Sequence, residues 1–172
     1  MTPLPPPLGG GELVAWRLDE RKFASTWDSG EGARLHGGRW NSPGRRIVYC
    51  SVDPSTAILE VAVHKGFRAL DTVAHVLTAA IVAEPTTIHI VQPADVPNAN
   101  WLRPGYPSAG PQAFGDTMLS AYPFVLLPSA VSTHSLNLLF DASISKGMYS
   151  IQLQEPFALD PRLHPPSPRG RP

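Results

Sequence analysis

Between Gly37 and His64 the chain sets down an arginine, a phenol and a carboxylate, each in a setting that invites chemistry. Arg39 follows two glycines and precedes Trp40-Asn41. Glycines let backbone approach a ligand closely, and a guanidinium grips a diphosphate through two parallel hydrogen bonds. Read alone, the same residues also describe a surface turn with a solvated arginine. Tyr49 stands mid-strand, where a phenol either fills core or walls a flat ring and orients it through its hydroxyl. Glu60 lies between Leu59 and Val61 at the border of an apolar helix face, with Thr56 and His64 one turn either way. A carboxylate in that position needs a partner or a task, and a solvated edge is the plain alternative. Ser129, in Leu-Leu-Pro-Ser-Ala, lacks the Gly-x-Ser-x-Gly elbow of a nucleophile. Orienting a ligand or a carboxylate suits it better; a simple strand-end turn is the ordinary reading.

These groups need elements to hold them. Leu13 to Leu18 reads as a first strand ending near Trp16-Arg17, and Ile47 to Ser51 as a second. Asp53-Pro54 opens a helix, with Asp as cap and Pro at the first helical position; Ala57, Ile58, Val61 and Ala62 form its inward face. Asp19 to Arg46 is polar and glycine-rich and is expected as a long loop, with a weak helical tendency at Arg21 to Trp27. Further strands are expected at Thr72 to Val82, Thr87 to Val91, Phe124 to Leu127 and Met148 to Gln154. In the last of these Tyr149, Ile151 and Leu153 alternate with polar residues. A loop fills Gln92 to Gly110 and a helix Pro111 to Ala121. The pattern predicts one α+β domain over residues 12–164 with a mostly antiparallel sheet, between a loose arm at 1–11 and a frayed tail at 165–172.

Composition narrows the function classes. The 172 residues suffice for one core, 42% are hydrophobic, and the formal net charge is +0. That balance gives no electrostatic reason to expect direct nucleic-acid binding or attachment to an anionic membrane. Cys50 is the only cysteine, which rules out an internal disulfide or a multi-cysteine zinc site, and its apolar strand makes it a small buried residue. The six histidines lack metal-ligand spacing, so no metal site is expected. With no membrane-length apolar run and no signal-peptide pattern, a cytoplasmic protein is expected.

Taken together, these residues resemble the RES domain, the toxin half of bacterial RES–Xre toxin–antitoxin pairs. The resemblance is carried by Trp16-Arg17, Gly30-Glu31-Gly32-Ala33, Gly37-Gly38-Arg39-Trp40-Asn41 and Val48-Tyr49-Cys50-Ser51. It continues through Ala57-Ile58-Leu59-Glu60 to His64, Gly115-Asp116, Pro128-Ser129-Ala130 with Asn137, and Pro156 to Leu163. The chain departs from the family where an Asn-Pro-x-His segment usually follows Asn137, and in carrying Cys50 for a more usual threonine.

The resemblance implies a fold similar to ADP-ribosyltransferases of the diphtheria-toxin kind, and an enzyme that cleaves the nicotinamide–ribose bond of NAD⁺. Hydrolysis, phosphorolysis and ADP-ribose transfer all occur in the family. It further implies that Arg17 and Arg39 hold the dinucleotide, with Trp40, Asn41 and Ser51 beside them. Tyr49 would line the nicotinamide end, Glu60 would be the key carboxylate and Ser129 would complete the pocket. NAD⁺ would be substrate rather than prosthetic group, and the partner a Xre-type antitoxin, with a homodimer within the complex compatible with this. The rival expectations are an ADP-ribosyltransferase acting on a protein, and a non-enzymatic binding module whose pocket has decayed.

Overall fold

The computed structural model describes residues 12–163. The arm expected at 1–11 and the tail at 165–172 lie outside the described residues. The strands are β1 (Leu13–Glu20), β2 (Ile47–Ser51), β3 (His75–Val82), β4 (Ile88–Ile90), β5 (Phe124–Pro128), β6 (Leu136–Asp141) and β7 (Tyr149–Phe157). The helices are α1 (Glu31–His36), α2 (Pro54–Lys65), α3 (Phe67–Thr72) and α4 (Ala109–Ala121). One sheet contains all seven strands in the order β4-β5-β6-β2-β1-β3-β7. Its pairings are antiparallel except β4 with β5.

Side-chain alternation gives this sheet two different faces. One collects Leu13, Ala15, Val48, Cys50, Ala80, Val82, Leu126, Leu138 and Phe140 into a continuous core, with Trp27 packed edge-on to Phe140 and Tyr149. The other carries two smaller cores. Ile47, Val125, Leu127 and Leu139 pack with Trp40 and with Leu119 of α4. Leu18 and Leu77 pack with Ala62 of α2 and Leu70 of α3.

The sheet is nearly divided. β1 and β3 pair along their whole length, and so do β2 and β6, but β1 meets β2 at a single register position, Trp16 with Ser51. Helix α2 packs against both strands and so spans this junction. Its start is set by Asp53, whose side chain accepts from the Thr56 N–H at 2.8 Å, with Pro54 in the first turn.

Several expectations need correction. The helical tendency at Arg21 to Trp27 is realised as a 3₁₀ helix, Arg21–Thr26, but the long polar segment expected as loop also holds the helix α1. The strand expected from Thr72 begins at His75, because Phe67–Thr72 forms α3 to bury Leu70. The apolar run from Leu136 is the strand β6, which the sequence reading did not assign. α4 begins at Ala109 with Pro111 in its first turn, and β7 continues to Phe157. The alternation expected in β7 fails at Gln152: register shifts between Ala79 and Ala80, opposing Leu153 and Ile151 to these successive residues. Such a bulge sends Ile151 and Leu153 to opposite faces of an edge strand, where both are exposed. Among the described residues no helix is long and apolar enough to cross a membrane.

Candidate functional site

On the face with two cores, apolar strand positions give way to polar ones at one end. Ile47 and Tyr49 are followed by Ser51, Val125 and Leu127 by Ser129, and Leu139 is preceded by Asn137. Period-two alternation keeps each series on one side, and β2–β6 pairing sets Ser51 against Asn137. The result is a buried polar patch at the boundary of the two cores, under the helix that carries Glu60.

Glu60 is bonded into that patch. Its Oε1 accepts from the Ser129 hydroxyl at 2.8 Å and from Asn137 Nδ2 at 2.6 Å. The Asn137 amide is aimed by a second bond, as Ser51 Oγ donates to its Oδ1 at 2.8 Å. Ser129 Oγ is aimed by the backbone: it accepts from the N–H groups of Val131 and Ser132 at 3.1 and 2.9 Å. Two donors on one carboxylate oxygen fix the headgroup's rotation. Both oxygens belong to a half-buried side chain on the junction helix.

Tyr49 organises a second group. Its hydroxyl accepts from the Trp40 N–H at 3.2 Å and donates to Asn41 Oδ1 at 2.7 Å. Burial raises the phenol well above its ordinary pKa, and the Asp116 and Glu60 carboxylates act in the same direction, against the Trp40 N–H and the Arg39 guanidinium. The phenol is therefore held as a neutral hydroxyl. Both Glu60 and Arg39 stand close enough to act on this hydroxyl. Gly38 is required here, because a Cβ would lie 2.8 Å from Tyr49 Cζ and 2.9 Å from Asn41 Oδ1. Helix α4 supports the loop from beneath. Gln112 donates to the Gly38 carbonyl at 3.0 Å, the Asp116 carboxylate accepts from the Ser42 N–H at 3.2 Å, and Gly115 leaves room for the Trp40 backbone.

The two arginines stand outside these networks. Arg39 Nη1 donates to the Trp101 carbonyl at 2.8 Å and Nη2 to the Gly105 carbonyl at 3.0 Å, which pins the 101–105 loop beside the glycine turn. Arg17 shares the alternation of Leu13 and Ala15, and it acts electrostatically on Cys50 on that face. Its Nε donates to Asp19 at 2.8 Å and its Nη1 to the Tyr49 carbonyl at 2.8 Å. Thus the structure joins Glu60 and Ser129 directly and Ser51 to them through Asn137, and it joins Trp40, Asn41 and Tyr49 directly. It ties Arg17 to the Tyr49 backbone rather than to the phenol. Trp40 and Asn41 are buried and shape the loop, and Ser51 aims Asn137. Cys50 is core, its thiol pushed up to about 12 by burial.

Sequence reasoning left Asn137 out of the site. The signal was available: an amide inside a buried apolar strand must find partners. Asp19, which holds Arg17, carried no such signal. Among the described residues no three His, Cys, Asp or Glu side chains are grouped to hold a metal ion.

Known proteins share this chain's sequence pattern and fold. The RES domain family matches residues 14–160. A protein called Toxin Res from Yersinia enterocolitica is 30% identical over 155 residues, spanning 88% of this chain and 99% of its own. The Prs ADP-ribosylating toxin of a Sphingobium species is 28% identical over 161 residues, spanning 86% of this chain and 94% of its own. Among solved structures, the MbcT–MbcA toxin–antitoxin complex of M. tuberculosis contains a chain with a TM-score of 0.62 and 19% identity, covering 86% of this chain and 85% of that one. The shared fold is the mixed α+β one.

Proposed function

This chain belongs to the RES domain family, and from that premise we propose that it is the toxin of a toxin–antitoxin pair and degrades NAD⁺ by breaking its nicotinamide–ribose bond. One observation supports the reading above others: Glu60, on the helix across the sheet junction, has one oxygen held by Ser129 and Asn137. A carboxylate fixed in this way is built to stabilise positive charge.

The chemistry needs little more. The C–N bond breaks with its electron pair leaving on nicotinamide, which departs neutral, so no general acid is required. The ribose gains oxocarbenium character, and the Glu60 carboxylate stabilises it electrostatically or through the neighbouring hydroxyl. Water or phosphate then adds at the anomeric carbon, water losing a proton to solvent. Arg39 and Arg17 would hold the diphosphate through donors left over from their protein bonds, which positions the ribose. Tyr49, kept neutral, would flank the nicotinamide ring, with Trp40 and Asn41 setting its loop and Ser51 supporting Asn137.

Incubating the purified chain with NAD⁺ and following nicotinamide release tests the reading. Release, with or without added phosphate, supports it; intact NAD⁺ under both conditions overturns it. A second reading, transfer of ADP-ribose to a protein, is favoured by the relative named as an ADP-ribosylating toxin. Label from NAD⁺ found on a macromolecule rather than on a small product selects it. An enzyme that drains NAD⁺ in the cytoplasm harms its host unless restrained, so the proposed partner is a cognate Xre-type antitoxin.

A further inference from the structure

The connection between β5 and β6 is a tight polar turn, residues 129–135, and it is fastened to α2 at two places. At one, Ser129 and Asn137 donate to Glu60. At the other, two turns earlier on the helix, Ser135 Oγ donates to Asp53 Oδ2 at 2.7 Å. Within the turn, the Ser129 N–H donates to the Ser135 carbonyl at 3.0 Å, and the Ser135 N–H to the Ser132 carbonyl at 2.8 Å. The residue that grips Asp53 is therefore bonded directly to the residue that aims Glu60.

Asp53 does more than a cap requires. Its Oδ1 takes the Thr56 N–H at 2.8 Å, the bond that caps the helix. Its Oδ2 takes the hydroxyls of Thr56 and Ser135, each at 2.7 Å. A serine or threonine could cap this helix, but only a carboxylate offers a second oxygen to the turn. We propose that Asp53 is a positioning residue for Glu60: by holding Ser135 it closes the 129–135 turn onto α2 and keeps the Ser129 hydroxyl against the Glu60 carboxylate. The catalytic half of this rests on the NAD⁺-cleaving reading above; the clamp itself does not.

Two variants of the full chain separate the clamp from the cap. Ser135→Ala removes the bridge and leaves the cap untouched. Asp53→Ser keeps a capping oxygen but is too short to reach Ser135. In both, the Val131 and Ser132 amides should exchange with solvent at least about tenfold faster, since they are protected by Ser129 Oγ. The kcat for nicotinamide release should fall about tenfold with KM within about twofold, as expected when a reacting group is misplaced and substrate binding is not. The double variant should lose no more kcat than the worse single, because both changes break one link. Wild-type exchange at both amides in both variants overturns the clamp. Faster exchange with unchanged kcat, or a loss that appears in KM alone, overturns the positioning role. A wild type that releases no nicotinamide overturns the functional reading and the catalytic half with it, while the exchange measurement still decides the clamp.

Discussion

Glu60→Gln is the sharpest test at the scale of single residues. Glutamine keeps an oxygen for Ser129 and Asn137 and loses only the charge. Nicotinamide release should fall by roughly 10²–10³-fold, as for other removed electrostatic stabilisers, with an unchanged melting temperature. Tyr49→Phe should act on stability as well. It strands the Trp40 N–H and Asn41 Oδ1 in a buried loop, costing about 1–3 kcal/mol in denaturant unfolding. Glu60 was legible in the sequence because a carboxylate on an apolar border demands an explanation. The partners of Arg39 were not legible: backbone carbonyls at Trp101 and Gly105 are approached only once the chain has folded, and no side-chain type marks them.

Helix α2 is the element on which the site depends, and it is tied down at both ends. Asp53 holds its start, and Lys65 in its last turn donates to Glu20 of β1 at 2.7 Å. Hydrogen bonds from Lys22 and then Lys65 lower the Glu20 carboxyl from its usual 4.5 to about 2. A carboxyl depressed in the folded state contributes stability above its unfolded pKa and loses it as pH falls through the folded one. The melting temperature should therefore drop as pH goes from 4.5 towards 2, and Glu20→Gln should make that drop shallower. The sequence announced α2 clearly, through its Asp-Pro start and apolar periodicity. It hid α1 and α3, both of six residues, too short to show a period. It also hid β6, whose asparagine interrupts the apolar run that would have identified it.

For the molecule as a whole, the sheet's two faces divide the labour: one is continuous core, the other parts into two cores with the polar patch between them. That division follows from strand order, which no local pattern encodes, so the α+β class was readable and the junction was not. If the protein is a toxin as proposed, its expression should arrest growth, and co-expression of the cognate antitoxin should relieve the arrest. Glu60→Gln should abolish the arrest at equal soluble yield, measured by colony counts and immunoblot. Undiminished arrest by that variant would favour the binding module over either enzyme.

Because β1 and β2 touch at one register position, the guanidinium on the Tyr49 carbonyl is a seam between two half-sheets. Survivors recovered from a lethality screen will therefore include changes at position 17 that merely loosen the fabric. Only those retaining wild-type heat resistance bear on the proposed grip on the dinucleotide.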